Sequence, residues 1–280
     1  MDKKEQLVAL WKTCFGDSDS FIRLFFDRVY RDENALTLER DGRLCCALHI
    51  VPYKMRAGER ELTMAYVCGV ATWPEFRRQG LMGRLMRQAL EEMTSRGYDL
   101  TSLIPATPAL FNYYRAFGYQ EFFNYSLTSC IASRQPERSD VRVVRASFGE
   151  WILAYDYFDR KVRERTCSVL YDRAQFETIL LDHQMSGGDL YMAYDESGKL
   201  SGLAFWLPGD QVRELVADSD DIHASLLAAI ARDKCLSTLQ VRGMPSAGSP
   251  VCLYGMARFL KAGLDLSDVR SKAYMNLMLD

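Results

Sequence analysis

Apolar positions recur at helical spacing in EQLVALWKTCF (5–15) and DSFIRLFFDRVY (19–30). They then follow strand-like runs in ALTLER (35–40), RLCCALHIVPYKM (43–55) and ELTMAYVCGVAT (61–72). The DG and AGER turn signals separate these runs, so the pattern predicts two helices followed by three strands. Next come a helix from Leu81 to about Arg96, a short strand DLTSLIP, a helix PALFNYYRAFG and a strand QEFFNYSLTSCI. The polar stretch SRQPERSD (133–140) reads as a linker.

A second pass through the same order follows. SFGEWILAYDYFDRKV and DRAQFETILLDHQM read as helices, LYMAY, LSGLAFWL and VRELVAD as strands, DIHASLLAAIARD as a helix and TLQVR as a strand. The expected fold class is therefore α/β (α+β), with two tandem domains at 1–135 and 136–280. Each has a mixed central sheet flanked by helices.

Composition narrows the classes. The 280 residues are 48% hydrophobic, enough for one large core or two ordinary ones. Thirty-five Lys and Arg against 37 Asp and Glu give a formal charge of −2, so no general basic surface points to nucleic acid or an anionic membrane. The opening MDKKEQLVALWKTCF lacks the unbroken apolar stretch of a signal peptide or membrane span, which makes the cytoplasm the expected location. Eight cysteines form no C-x-x-C pair and few histidines lie near them, so neither a metal site nor a structural disulfide is expected.

Candidate chemistry concentrates where a strand meets a helix, at VATWPEFRRQGLMGRL. The first N–H groups of a helix are unpaired and its N-terminus is partly positive. Gly80 would let backbone approach a phosphate without a Cβ in the way, and Arg77 and Arg78 supply charge. Alone, R-x-x-G is a short pattern, and neither a P-loop nor a G-x-G-x-x-G is present. The matching junction of the second half, ELVADSDDIHASLLAAI, has acids and no glycine. It reads as a scaffold copy without a cofactor.

Downstream, LFNYYRAFGY places Tyr114 four residues before Gly118, followed by an aromatic residue. Over about residues 60–123 the two motifs together resemble the GNAT superfamily of acyl-CoA-dependent N-acetyltransferases. The twinned halves, RRQGLM and YRAFGY further resemble the enhanced intracellular survival (Eis) group, with two GNAT-like domains of which the second is degenerate. Two features depart from that group or its superfamily. Only about 40 residues follow TLQVR, too few for the group's third domain, and Met82 stands where the superfamily prefers Gly or Ala.

The resemblance implies an N-acetyltransferase that moves an acetyl group from acetyl-CoA to a primary amine by direct attack on the thioester. Val70, Ala71 and Thr72 would offer backbone to the pantetheine arm. Arg77, Arg78, Gln79, Gly80, Leu81, Met82 and Gly83 would wrap the pyrophosphate. Thr107 falls where the superfamily often has an asparagine touching the cofactor. Tyr114 would be the general acid, and the chain-terminal carboxylate of Asp280 could serve as base. No metal is implied. A small-molecule or peptide amine is the expected partner, and because the resembled group often assembles, a homo-oligomer stays open.

Such chemistry needs a base, because an alkyl ammonium of pKa about 10 is only about 0.1% neutral at pH 7. His49, His183 and His223 read as structural or surface residues. The tail AYMNLMLD reads as an ordered strand, or alternatively as a frayed end. Tyr113 and Phe123 divide evenly between pocket lining and core, while Arg84 and Arg87 read as solvated helix face. Two other functions remain: an acyl-CoA-binding regulatory or sensor protein without turnover, and a nucleic-acid binder, which Glu91 and Glu92 on the arginine-bearing helix weaken.

Overall fold

The computed structural model describes residues 2–131, 141–245 and 249–279. The expected linker at 133–140 and the candidate base Asp280 lie outside the described residues. The chain forms two compact bodies: Met1–Phe123 with Tyr254–Asp268, and Asn124–Leu253 with Val269–Leu279.

In the first body, α1 (Lys3–Cys14) starts at a reciprocal cap. Asp2 Oδ1 accepts from the Glu5 N–H at 2.7 Å, and Glu5 Oε2 accepts from the Asp2 N–H at 2.9 Å. α2 (Asp19–Leu24) is shorter than its pattern predicts, because the chain widens into a π turn over Phe25–Val29. That turn keeps both Phe25 and Phe26 buried. β1 (Ala35–Arg40), β2 (Arg43–Ala57) and β3 (Arg60–Thr72) form an antiparallel meander. α3 (Leu81–Ser95), β4 (Leu100–Leu103) and α4 (Pro108–Arg115) follow, and then β5 (Gln120–Ile131), which begins here. β4 runs parallel to β3 on one side. On its other side it is antiparallel to 256–259, from Met256↔Leu103 to Phe259↔Leu100.

Both faces of this sheet are covered, which explains why Leu44 to Val51 of β2 are buried without alternation. On one face Cys46, Leu48 and Ile50 pack against Leu85, Met86, Ala89 and Met93 of α3. On the other, Ala47 and Ala71 meet Leu7, Leu10 and Trp11 of α1 with Ile22, Phe25 and Phe26.

The second body adds β6 (Arg142–Arg145), the short α5 (Phe148–Trp151), α6 (Tyr155–Arg163), β7 (Cys167–Leu170) and α7 (Arg173–Met185). β8 (Asp189–Tyr194), β9 (Leu200–Trp206), β10 (Gln211–Ala217), α8 (Asp220–Lys234) and β11 (Thr238–Gly243) complete it. β6, β8, β9 and β10 pair antiparallel in turn, β10 and β11 are parallel, and β11 is antiparallel to residues 126–131 of β5. α8 lies close on β9 because Gly202 has no side chain: a Cβ there would sit 2.6 Å from Ile222 Cγ2. The strand expected in the C-terminal tail covers only Ala273–Tyr274, after which Met275 to Leu279 are buried without regular structure.

Candidate active site

Two irregularities of β3 shape the site. Its pairing with β2 slips between Ala47↔Ala71 and His49↔Cys68, so Gly69 and Val70 fall in a bulge, with Gly69 left-handed at φ 57°. Its parallel pairing with β4 runs only from Met64↔Leu100 to Tyr66↔Ser102. Beyond Tyr66 the two strands part, and among the described residues the β4 side of Val67 to Thr72 has no strand partner.

The parting point is pinned by a buried hydroxyl pair. Thr101 Oγ1 donates to the Ala65 carbonyl at 2.9 Å, and with its one proton committed it accepts from the Tyr119 hydroxyl at 3.0 Å.

At the top of β3 the chain turns through Pro74–Phe76 into α3. Arg78 and Gly80 both take positive φ, 60° and 74°, and Gly80 is the residue before the helix with no side chain capping it. The N–H groups of Leu81, Met82 and Gly83 have no backbone partner among the described residues, and the first intrahelical bond runs from the Arg84 N–H to the Gly80 carbonyl at 3.1 Å. A Cβ on Gly80 would meet nothing within 4 Å, so the space in front of this turn is open.

The side chains around the turn hold its shape. Arg77 Nε donates back to the Thr72 carbonyl at 3.1 Å and its guanidinium lies 3.6 Å from Cys14 Sγ. Arg40 donates to Gln79 Oε1 at 2.9 Å, Gln79 Nε2 donates to the Glu75 carbonyl at 2.9 Å, and Arg43 pairs with Glu75 at 3.1 Å. Arg77 and Gln79 thus brace the loop, whereas Arg78 projects into solvent.

The second motif lies beside the first. Phe117 packs at the first turn of α3, 3.7 Å from where a Cβ on Gly83 would be. Tyr114 is 6% exposed in the core beneath α3, its ring 5.3 Å from Tyr113 and 6.1 Å from Tyr119. Burial raises its hydroxyl pKa well above the usual tyrosine value, so it stays protonated at neutral pH. Thr107 precedes α4, exposed, its hydroxyl free of any capping bond. The fold therefore brings the bulge at Gly69–Val70, the open edge to Thr72, the Gly80 turn and Tyr114 into one body. Among the described residues, no group of three or more His, Cys, Asp or Glu is placed to hold a metal ion.

Sequence reasoning passed over the other face of the bulge. His49 is 3% exposed, and the rings of Trp11, Phe25, Phe26 and Tyr30 lie 5.2 to 5.9 Å from its own. One signal was present: an isolated glycine within the strand ELTMAYVCGVAT marks a bulge or a close approach.

Residues 1–122 match the family model of the acetyltransferase (GNAT) domain. No curated protein matches the sequence. Among solved structures, a protein of unknown function from Enterococcus faecalis V583, described as a probable N-acyltransferase, superposes with a TM-score of 0.78 at 15% identity, over 92% of this chain and 70% of that one. Eis1 from Mycobacterium abscessus gives a TM-score of 0.71 at 15% identity, over 92% and 71%. A GCN5-related N-acetyltransferase from Kribbella flavida gives 0.70 at 22% identity, over 91% and 68%. At these identities the likeness is one of fold. It extends beyond residues 1–122 to most of the chain.

Proposed function

We propose that the first body transfers an acetyl group from acetyl-CoA to a primary amine. The observation that carries this reading is the parting of β3 from β4 directly below an uncapped helix start. An extended thiol carrier can lie along the free edge of Val70, Ala71 and Thr72 as a strand would, its diphosphate against the N–H groups from Arg78 to Gly83. Arg78 adds charge from solvent, Arg77 and Gln79 hold the loop, and Thr107 borders the cofactor.

The chemistry asks mainly for position. A thioester is already activated, so a neutral amine held about 3 to 3.5 Å from its carbonyl carbon attacks directly. An N–H freed at the Gly69–Val70 bulge polarises the carbonyl oxygen as charge develops on it. Nitrogen–carbon bond formation is followed by carbon–sulfur cleavage, and the leaving thiolate takes the proton of the Tyr114 hydroxyl.

The second body keeps the architecture without the anion site. Its strands β10 and β11 also pair in parallel only at the start, Gln211↔Gln240 and Val212↔Val241. Its helix α8, however, is capped by Ser219, whose Oγ accepts from the Ile222 N–H at 3.3 Å, and it opens with Asp220 and Asp221. Those carboxylates would repel a diphosphate, so we read this copy, within the 136–280 domain, as degenerate. All eight cysteines are free, which agrees with a cytoplasmic setting. Among the described residues no helix is long and apolar enough to cross a membrane.

Two measurements test the reading. Calorimetry with coenzyme A should show saturable binding, and acetyl-CoA with a panel of primary amines should release free thiol in step with acetylated amine. Binding without turnover across the panel would instead favour the sensor reading.

A further inference from the structure

One rung of the first body's sheet lies a single step before β3 and β4 part. Ala65 of β3 stands beside Thr101 of β4, and Thr101 stands opposite Arg258. Residues directly opposite one another on paired strands point to the same face of a sheet. Thr101 and Arg258 therefore act together on the face that carries α3 and α4, and both meet the exit of α4. Arg258 Nη1 donates to the Phe117 carbonyl, and its guanidinium lies over Gly118, where a Cβ would sit 3.4 Å from that nitrogen. The Tyr119 hydroxyl donates to Thr101 Oγ1 at 3.0 Å, and Thr101 Oγ1 donates to the Ala65 carbonyl at 2.9 Å. The Tyr119 N–H donates in turn to the Tyr114 carbonyl at 3.3 Å. Tyr119 thus joins the last turn of α4 to the parting point.

Tyr119 is 2% exposed and Thr101 is fully buried. A phenylalanine would fill the same place with no hydroxyl to satisfy. A buried hydroxyl pair whose bonds are all made adds only modest net stability, but it fixes one arrangement of the core. What this pair fixes is the seat of α4, and Tyr114 depends on that seat. Among the described residues no hydrogen bond holds the Tyr114 hydroxyl, whose ring packs 5.3 Å from Tyr113 and 6.1 Å from Tyr119.

We propose that Tyr119 is a positioning residue of the acyl transfer, its hydroxyl holding α4 so that Tyr114 stands beside the leaving sulfur. This rests on the acetyltransferase reading. Tyr114 gives its proton to the thiolate, and Tyr119 acts only through where that phenol is held. Burial keeps the Tyr119 hydroxyl itself protonated, and it exchanges no proton with substrate. A misplacement of about 1 Å costs on the order of 10²-fold in rate. With the Arg258 anchor still in place, losing the hydroxyl should cost about tenfold.

The test uses the full chain at saturating acetyl-CoA with a panel of primary amines that includes phenethylamine, spermidine and Nα-acetyl-lysine. Tyr119→Phe keeps the ring and the bond from Thr101 to Ala65, and should slow turnover about tenfold with coenzyme A affinity by calorimetry unchanged. In a Tyr114→Phe background the same substitution should cost less than about twofold, because the group it positions is already gone. A loss that came only from a looser core would appear equally in both backgrounds. Thr101→Val removes the acceptor from the other side and should match Tyr119→Phe, whereas Thr101→Ser keeps the hydroxyl and should stay within about threefold of wild type. A Tyr119→Phe loss smaller than about threefold, or an equal loss in both backgrounds, would overturn the assignment while leaving acetyl transfer standing. A wild-type chain that acetylates no amine overturns both.

Discussion

Phe117 rests against the first turn of α3 at Gly83, its Cζ 3.7 Å from where a Cβ on that glycine would be. That is ordinary van der Waals contact, so packing does not demand glycine at this helical position. Gly83→Ala should raise stability by roughly 0.5–1 kcal/mol through helix propensity alone. If the diphosphate sits against this turn, the same methyl should weaken coenzyme A binding about tenfold or more. Thermal melts and calorimetry on one variant read both effects, and unchanged affinity would count against a close approach of ligand to Gly83.

Gly80 differs in kind. Its φ of 74° is strained for any residue with a Cβ, yet no atom lies within 4 Å of that Cβ. Gly80→Asp should cost about 1–2 kcal/mol of stability from the left-handed conformation. It should also abolish coenzyme A binding, because a carboxylate then faces the diphosphate. Gly80→Ala should pay the same conformational cost and keep measurable affinity. Calorimetry on the two variants separates strain from charge.

Tyr114→Phe removes one hydroxyl from a ring that is otherwise core. Turnover should fall about 10- to 100-fold with coenzyme A affinity unchanged, since the ring's packing stays. Steady-state kinetics alongside calorimetry check this, and full activity would remove the acid role. Burial keeps this phenol protonated, so the wild-type rate should show no loss attributable to Tyr114 ionisation between pH 7 and 9.

Much of this was legible because it is local. The meander β1–β3 follows from strand-like runs separated by the DG and AGER turn signals, and β1 and β5 have the expected ends, Ala35–Arg40 and Gln120–Ile131. The four-residue β7, CSVL, is too short for a period to register. Residues 256–259 pair with β4 across some 150 positions, and nothing local announces such a partner. The same applies to the site. R-x-x-G and Tyr114 are spelled out in sequence, whereas the enclosure of His49 exists only once α1, the Phe25–Val29 turn and β2 are folded together.

Two histidines set an acid limit on stability. Burial lowers both His49 and His183 to about 4, and for His183 a hydrogen bond with the Asp189 carbonyl partly offsets it. An unfolded histidine titrates near 6.5, so between about pH 6.5 and 4 the unfolded chain binds protons the folded one does not. Stability is then full above pH 6.5 and falls as pH drops through this window, by up to about 3 kcal/mol per histidine. Urea titrations at pH 7 and pH 5 should show the loss, and His49→Leu should remove about half of the slope contributed by the pair.

Within the second body, Glu214 is 2% exposed and accepts from Arg165 at 2.9 Å, from the Tyr274 hydroxyl at 3.2 Å and from Asn276 Nδ2 at 3.2 Å. The Arg165 guanidinium also stacks over the Tyr274 ring, 4.9 Å from its centroid. Removing one charge leaves the other buried and unpaired, so Glu214→Ala should cost about 3–5 kcal/mol. Replacing both ions with apolar residues of similar volume, Arg165→Met with Glu214→Leu, should recover much of that loss, because neither charge then pays desolvation. Asn276 and Tyr274 still lose an acceptor in the double variant, so recovery should fall short of wild type by about 1–3 kcal/mol. Urea denaturation of the two variants measures the difference. A single variant as stable as wild type would mean that Arg165 reaches water when its partner is gone.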